Sequence, residues 1–345
     1  LPGDQASYRP ARLGFVGIDA GGTKVHVRYQ LTPAHAAETF KIRSADYDSL
    51  DDLIEDCLKK IGYLPRALVA GVAGRPRPNG DVRVTNQPGW PVFQRDRFAA
   101  VRGVRLEIVN DMIATVAGVR ELTVAECRSL TPGIALSAPS RLVVAVGTGV
   151  GVGYADGEGR PHGTEAGHIP WQPVGAREGD YLCWLQGRHP GVPISVEQSV
   201  AGLHGIEHLY DYLSTVRPPA RRLSERVGRA RVEGQGIGAL VMPEAVAGDP
   251  FCTELVRLLG VILGQFLRSM ALVTLSQGGS IWLAGSVLQS PGLAELLVAD
   301  GCLLEAFRGG GAQHADLMEQ IPMFLILDHE IAVKGALALS KALAA

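Results

Sequence analysis

Two short glycine-rich turns, each between apolar stretches, are the first places in this chain where chemistry could occur. The first is Asp19-Ala-Gly-Gly-Thr-Lys24, after the apolar run 13–18 and before the alternating residues 25–29. A backbone N–H can approach a phosphate closely only where no Cβ intrudes, and Gly21 and Gly22 meet that condition. Thr23 adds a hydroxyl donor, and Asp19, at the strand end, could hold a magnesium ion through water. The plainer reading is a hairpin turn with no ligand. The second turn, Gly147-Thr148-Gly149, has the same design between the runs 141–146 and 150–155. Two such turns can clamp a polyphosphate from two sides. No GxxxxGK[ST] loop occurs, and GTGVGVG lacks the GxGxxG spacing, so P-loop and dinucleotide sites are set aside.

Candidate acid–base and hydroxyl-binding groups lie between and after these turns. Asn110-Asp111 follows a predicted strand at 105–109 and opens a predicted helix at 112–119. Both residue types are favoured helix caps, which is the competing reading. Ligands gather at strand ends of α/β sheets, and a carboxylate there can take the proton of an attacking hydroxyl during phosphoryl transfer. Glu165-Ala-Gly-His168 sits in a loop that Gly167 and Pro170 keep from becoming helix. It is either a solvated surface loop or a polyol clamp, with the carboxylate accepting from two adjacent hydroxyls and the imidazole adding a contact. Glu197, by itself, reads as an ordinary helix-start glutamate.

The elements that must position these groups follow from periodicity. Residues 49–61 carry helical spacing (Leu50, Leu53, Ile54, Cys57, Leu58, Ile61), and 67–72, 280–283 and 324–327 read as strands. Residues 331–344 form a closing amphipathic helix, and the Arg-rich 217–231 reads as a solvated surface excursion. The strand–Gly-turn–strand plan occurs twice, which implies two related half-domains facing one cleft. The 345 residues suffice for two domains. A hydrophobic content of 46% with 20% charged residues is that of a globular protein. A net charge of -2 supplies no basic field, which argues against nucleic acid as a partner. The five scattered cysteines suggest neither zinc nor a disulfide framework. The most apolar stretch, 256–275, is interrupted by Arg257, Gln265 and Arg268, so a buried helix is expected rather than a membrane span. The opening LPGDQASYRPARLG shows no leader pattern, and a cytoplasmic location is expected.

With these pieces in order, the chain resembles the bacterial glucokinase family, within the superfamily that includes hexokinase, actin and the heat-shock chaperone ATPases. The resemblance runs from about Gly14 to Ala344. It is carried by GIDAGGTKVHVR, VTNQPGW, IVNDMIATVAGV, VAVGTGVGVGYA, GTEAGHIPWQP, ISVEQSVAGLHGIEHLY and SIWLAGSVLQSPGL. It implies an actin-like (ribonuclease H-like) α/β fold with an interdomain cleft. The expected small domain is 1–110 plus 329–345, and the expected large domain 111–328.

The resemblance also implies roles. Asp19, Gly21, Gly22, Thr23 and Lys24, with Gly147, Thr148 and Gly149, would face the phosphates of ATP and Mg2+. Gly285 would lie beside the adenosine. Asn86, Asn110, Glu165, His168 and Glu197 would be on the sugar side, and Asp111 would be the general base. Family members phosphorylate the 6-hydroxyl of a hexose, and many are homodimers. Two departures are visible: Ser286 follows Gly285 where a second glycine is usual, and Ala166 adds a methyl beside the clamp. A single cysteine in REGDYLCWLQGRHPG speaks against the zinc loop of the related repressor branch, and no helix-turn-helix precedes the first strand. Glucose is the first expected acceptor. A C7-cyclitol with the same primary hydroxyl, mannose and an amino sugar are the other acceptors. A non-catalytic sugar-binding regulator and an actin-like filament protein are the non-enzyme alternatives.

Overall fold

The computed structural model describes residues 12–131, 139–309 and 313–345, so most of the segment read for a leader lies outside them. The described chain divides into two compact units. One runs to Leu122 and resumes at Glu330–Ala345, and the other is Thr123–His329.

The first unit is built on five strands: β1 (Phe15–Ala20), β2 (Lys24–Gln30), β3 (Glu38–Arg43), β4 (Ala67–Val72) and β5 (Arg105–Asn110). Their order is β3-β2-β1-β4-β5. The β1–β2 and β2–β3 pairs are antiparallel, and β1–β4 and β4–β5 are parallel. Every residue of β4 is buried, as its unbroken apolar run requires of a central strand covered on both faces. The helix Leu50–Ile61 covers one face. Ser49 caps it by accepting the Asp52 amide at 3.0 Å, and Gly62 ends it at φ 80°. The edge strand β3 alternates only through Phe40 and Ile42, which pack on the core from one face, too brief a pattern for periodicity to reveal it.

The closing helix Ile331–Ala344 packs on the helix Asp111–Gly118 and on β1 and β4. Its approach is close. A Cβ at Gly335 would lie 1.8 Å from the Ala114 carbonyl oxygen, and one at Gly118 would lie 2.2 Å from that of Ile331. This contact binds the helix Asp111–Gly118 to the first unit. The boundary therefore falls after Leu122, not after Asn110 where the sequence reading put it.

The second unit repeats the plan with β6 (Cys127–Ser129), β7 (Arg141–Val146), β8 (Val150–Ala155), β9 (Pro161–Thr164), β10 (Ser280–Ala284) and β11 (Met323–Ile326). Read as β9-β8-β7-β10-β11, five of these strands reproduce the order and the parallel or antiparallel sense of the first sheet. The short β6 adds an antiparallel edge beside β11. The long helix Pro250–Thr274 is apolar enough to cross a membrane by length and composition. Its apolar side chains instead enter the core of this unit, from Phe251 and Leu255 to Leu267 and Ala271. Arg257 leaves that core to pair with Asp300 at 2.8 Å, and Arg268 donates to the Arg308 carbonyl at 2.6 Å.

The Arg-rich segment is more than a solvated excursion. Within it the helix Arg221–Val232 buries Leu223, Val227 and Ala230, while Arg231 pairs with Glu207 and Asp211. Arginine on the polar face hid the apolar stripe from a reading based on charge.

Gly335→Ala places a methyl against the Ala114 carbonyl with nowhere to go. Overpacking of this kind should cost about 2–3 kcal/mol in urea unfolding, whereas the open Gly62 contributes no such clash.

Candidate functional site

In the first unit the glycine turn connects β1 to β2 with Ala20 opposite Val25. A Cβ at Gly21 would stand 2.7 Å from the Lys24 carbonyl oxygen, so the turn is as tight as its composition suggested. Thr23 and Lys24 are exposed. Two braces that the sequence reading missed hold the turn. Buried Ser44 donates from its hydroxyl to the Gly21 carbonyl at 2.6 Å, and its amide donates to Thr23 O at 3.1 Å. Gln87 Nε2 donates to Gly22 O at 2.6 Å. Asn86 is exposed and lies against this same turn, 3.5 Å from where a Gly22 Cβ would be. The sequence thus carried the Asn-Gln pair, but nothing in it said that Gln87 would be the brace.

Asn110 is the N-cap of its helix. Its Oδ1 accepts the Met112 amide at 2.9 Å, and its Nδ2 donates to the Gly74 carbonyl at 3.1 Å. The capping reading of the pair therefore holds for Asn110. Asp111 is the first helical residue, half-buried, with one carboxylate oxygen on the Met112 amide at 2.9 Å. An acidic group there is favoured by the positive end of the helix. Gly71 of β4 lets this helix approach the sheet, since a Cβ on that glycine would be 3.1 Å from the Ala114 Cβ. Asp19 is near enough to feel Asp111. Burial first, and then repulsion from Asp111, push the Asp19 carboxyl up to about 7. Two acidic groups so placed favour a bound cation. Among the described residues no cluster of three or more His, Cys, Asp or Glu could hold a metal alone. A magnesium ion would thus draw its remaining oxygens from phosphate and water.

In the second unit the turn Gly147–Gly149 joins β7 to β8, with Val146 opposite Val150. The helix Val196–Val200 is capped by Ser195 and turns Glu197 toward this turn. One Glu197 oxygen accepts the Val150 amide at 2.9 Å. A Cβ at Gly149 would be 2.5 Å from that oxygen. The loop carrying Glu165 and His168 packs on the same place, with Gly167 so close that a Cβ would lie 2.0 Å from the Val150 carbonyl oxygen. His168 stands between two carboxylates. Its Nδ1 is 3.8 Å from Glu197 and its Nε2 3.9 Å from Glu165. Those gaps exceed hydrogen-bond length, and the three side chains form an array that adjacent hydroxyls of a polyol can bridge. Glu197 therefore belongs with the Glu165–His168 pair, a link that its own sequence context did not disclose.

Gly285 follows β10 at φ 93°, a left-handed conformation that suits glycine. A Cβ there would strike the Val146 carbonyl oxygen at 2.4 Å. Ser286 borders Gly147, its Oγ 3.4 Å from the place of a Gly147 Cβ. The Gly202 amide donates to Gly147 O at 2.6 Å and the Leu203 amide to Thr148 O at 3.2 Å. Gly202 was not singled out from sequence, because its role depends on contact with a turn far away in the chain.

A strand order of 3-2-1-4-5 that occurs twice, once with an added edge strand and each time with a glycine turn between its first two strands, is the actin-like ATPase fold. The family model for glucokinase matches residues 16–343, and the chain belongs to the glucokinase family. It is 31% identical to the glucokinase of Chromohalobacter salexigens, over 92% of this chain and 93% of that one. In fold it is similar to a glucokinase from Balamuthia mandrillaris solved in complex with glucose. That match has a TM-score of 0.74 and 21% identity, over 97% of this chain and 96% of that one. A ROK family glucokinase from Streptomyces griseus, solved with glucose and AMPPNP, matches with a TM-score of 0.64 and 21% identity, over 95% of this chain and 99% of that one.

A carboxyl held up to about 7 keeps, in the folded protein, a proton that the unfolded chain releases near pH 4. Stability therefore falls as pH rises from about 4 to 7, and the full penalty stands above 7. Asp19→Asn removes it. Without nucleotide, calorimetry should show the variant melting roughly 5 °C higher than the parent at pH 8, with a smaller gain at pH 5.

Proposed function

We propose that this protein is an ATP-dependent kinase that transfers the γ-phosphoryl group to the primary hydroxyl of a hexose, with glucose as the first acceptor. The observation that carries this reading is Asp111 at the head of its helix, in a chain that matches the glucokinase family over residues 16–343.

In this reading Asp111 accepts the proton of the sugar hydroxyl as the phosphoryl group moves across. Glu165, His168 and Glu197 hold neighbouring hydroxyls and fix the orientation of the acceptor. Such positioning supplies much of the rate in a reaction where the protein does little covalent chemistry. The two glycine turns offer backbone amides and threonine hydroxyls to the phosphates, and Gly285 leaves space for the adenosine. Magnesium would come with ATP as part of the substrate, and Asp19 would hold it on the protein side through water. Asn86, beside Gly22, serves this phosphate turn as readily as the sugar. Asn110 contributes mainly by capping, since its amide is already engaged at both ends. Residence in the cytoplasm, entry of the product into glycolysis and assembly as a homodimer belong to the same proposal and are supported by family resemblance.

Asp111→Asn should lower kcat by about 10³-fold, within the range for loss of a general base, while calorimetric affinity for the sugar stays within a few fold. The assay is ADP release with magnesium-ATP on glucose, mannose, N-acetylglucosamine and a valiolone-type cyclitol. Preference for the cyclitol would reassign the acceptor. Sugar binding with no turnover on any member of the panel would defeat the kinase reading in favour of a regulator.

A further inference from the structure

The helix Val196–Val200 leaves its last carbonyls, like those of any helix, to partners outside it. An α-helix that continued past Val200 would send the amide of residue 202 to the Gln198 carbonyl and that of 203 to the Ser199 carbonyl. Its last ladder bond is instead Ala201 N to Glu197 O at 3.0 Å. The next two amides leave the helix for the glycine turn, Gly202 to Gly147 O and Leu203 to Thr148 O. Gly202 permits this because its backbone runs so close that a Cβ would be 2.8 Å from the Gly147 carbonyl oxygen.

The diversion leaves two carbonyls without their ladder donors, and an unpaired carbonyl in a protein interior is costly. Two side chains from other helices supply the missing donors. Tyr181, on the helix Ala176–Arg188, donates its hydroxyl to Ser199 O at 3.1 Å. His208, on the helix Gly205–Val216, places Nδ1 2.8 Å from Gln198 O. A carbonyl only accepts, so His208 carries its hydrogen on Nδ1. Both donors are held in place by neighbouring rings. Tyr181 is fully buried between Trp171 and Trp184, and Trp184 meets the His208 ring edge-on with centroids 6.5 Å apart.

We propose that His208 and Tyr181 are positioning residues. By donating to the two orphaned carbonyls they stop the helix at Val200 and commit the Gly202 and Leu203 amides to the second glycine turn. The same arrest holds Glu197, next to Gln198, on the Val150 amide. Neither residue touches a substrate; each acts through the helix end. The functional side of the proposal rests on reading that turn as a phosphate site and Glu197 as part of the sugar clamp.

The test uses His208→Phe, which keeps a ring and loses the N–H, and Tyr181→Phe, which loses only the hydroxyl. His208→Asn retains a donor and serves as the rescue. Exchange of the Gly202 and Leu203 amides is followed by NMR, and affinities for AMPPNP and glucose by calorimetry. In both Phe variants the two amides should exchange at least about tenfold faster. AMPPNP and glucose should bind about tenfold more weakly, with KM raised accordingly and kcat changed far less, as expected for one lost hydrogen bond to a carbonyl left unpaired. His208→Asn should recover most of both effects. Unchanged exchange and affinity in both Phe variants, even with lower melting temperatures, would reduce these residues to core filling and overturn the proposal. If the parent protein bound neither nucleotide nor sugar, the kinase reading would fall, and amide exchange would still decide whether the two side chains hold the helix end.

Discussion

The bond between the Glu197 carboxylate and the Val150 amide is the constraint around which the second unit's site is arranged. Val150 is the first residue of β8, so its amide is fixed by the sheet, and a carboxylate that reaches it must come from a helix brought very close. That closeness rules out side chains at Gly149 and Gly167, where a Cβ would meet Glu197 or the Val150 carbonyl. Beside it, the amides that follow the helix Val196–Val200 are given to Gly147 and Thr148. The glycine turn, the clamp loop and the short helix are thus one hydrogen-bonded assembly. The rate of a phosphoryl transfer depends on such rigidity, because small errors in placing the acceptor are expensive.

The first unit meets a different demand. It must hold acidic side chains, Asp19 and Asp111, near one another at the end of a buried sheet. Burial first, and then the like charge of Asp111, push the Asp19 carboxyl up to about 7. What keeps them in place is backbone packing. Gly335, Gly118 and Gly17 let the closing helix lie directly on the helix that begins with Asp111 and on β1. Packing this dense does not yield by small steps. A functional group can therefore be kept in an electrostatically unfavourable position, ready for a cation or a proton to relieve it.

Much of this was legible in the sequence. The strands 67–72, 141–146 and 150–155 and the closing helix appear at the expected residues, since buried central strands and long amphipathic helices carry strong apolar patterns. The strands β3, β6 and β9 did not announce themselves. They lie at sheet edges and none of their residues is fully buried, so burial leaves little mark on their composition. The helix Arg221–Val232 was obscured for a related reason, its arginines masking a narrow apolar stripe.

By itself, the sequence determined the residue types available: two glycine-rich turns, an acid after β5, and a carboxylate–imidazole pair in a loop that Gly167 and Pro170 keep from α-helix, although Ala166–His168 closes a single 3-10 turn there. Local rules suffice for these, because glycine conformation, capping preference and apolar period are properties of neighbouring residues. Only the tertiary structure decided which distant groups act together. It joined Glu197 to the loop of Glu165 and His168, set Asn110 to capping, and brought Ser44 and Gln87 beneath the first turn and Gly202 beneath the second. The reason is physical. A hydrogen bond between residues far apart in the chain depends on where the folded backbone brings a donor and an acceptor within about 3 Å, and no short stretch of sequence contains that distance.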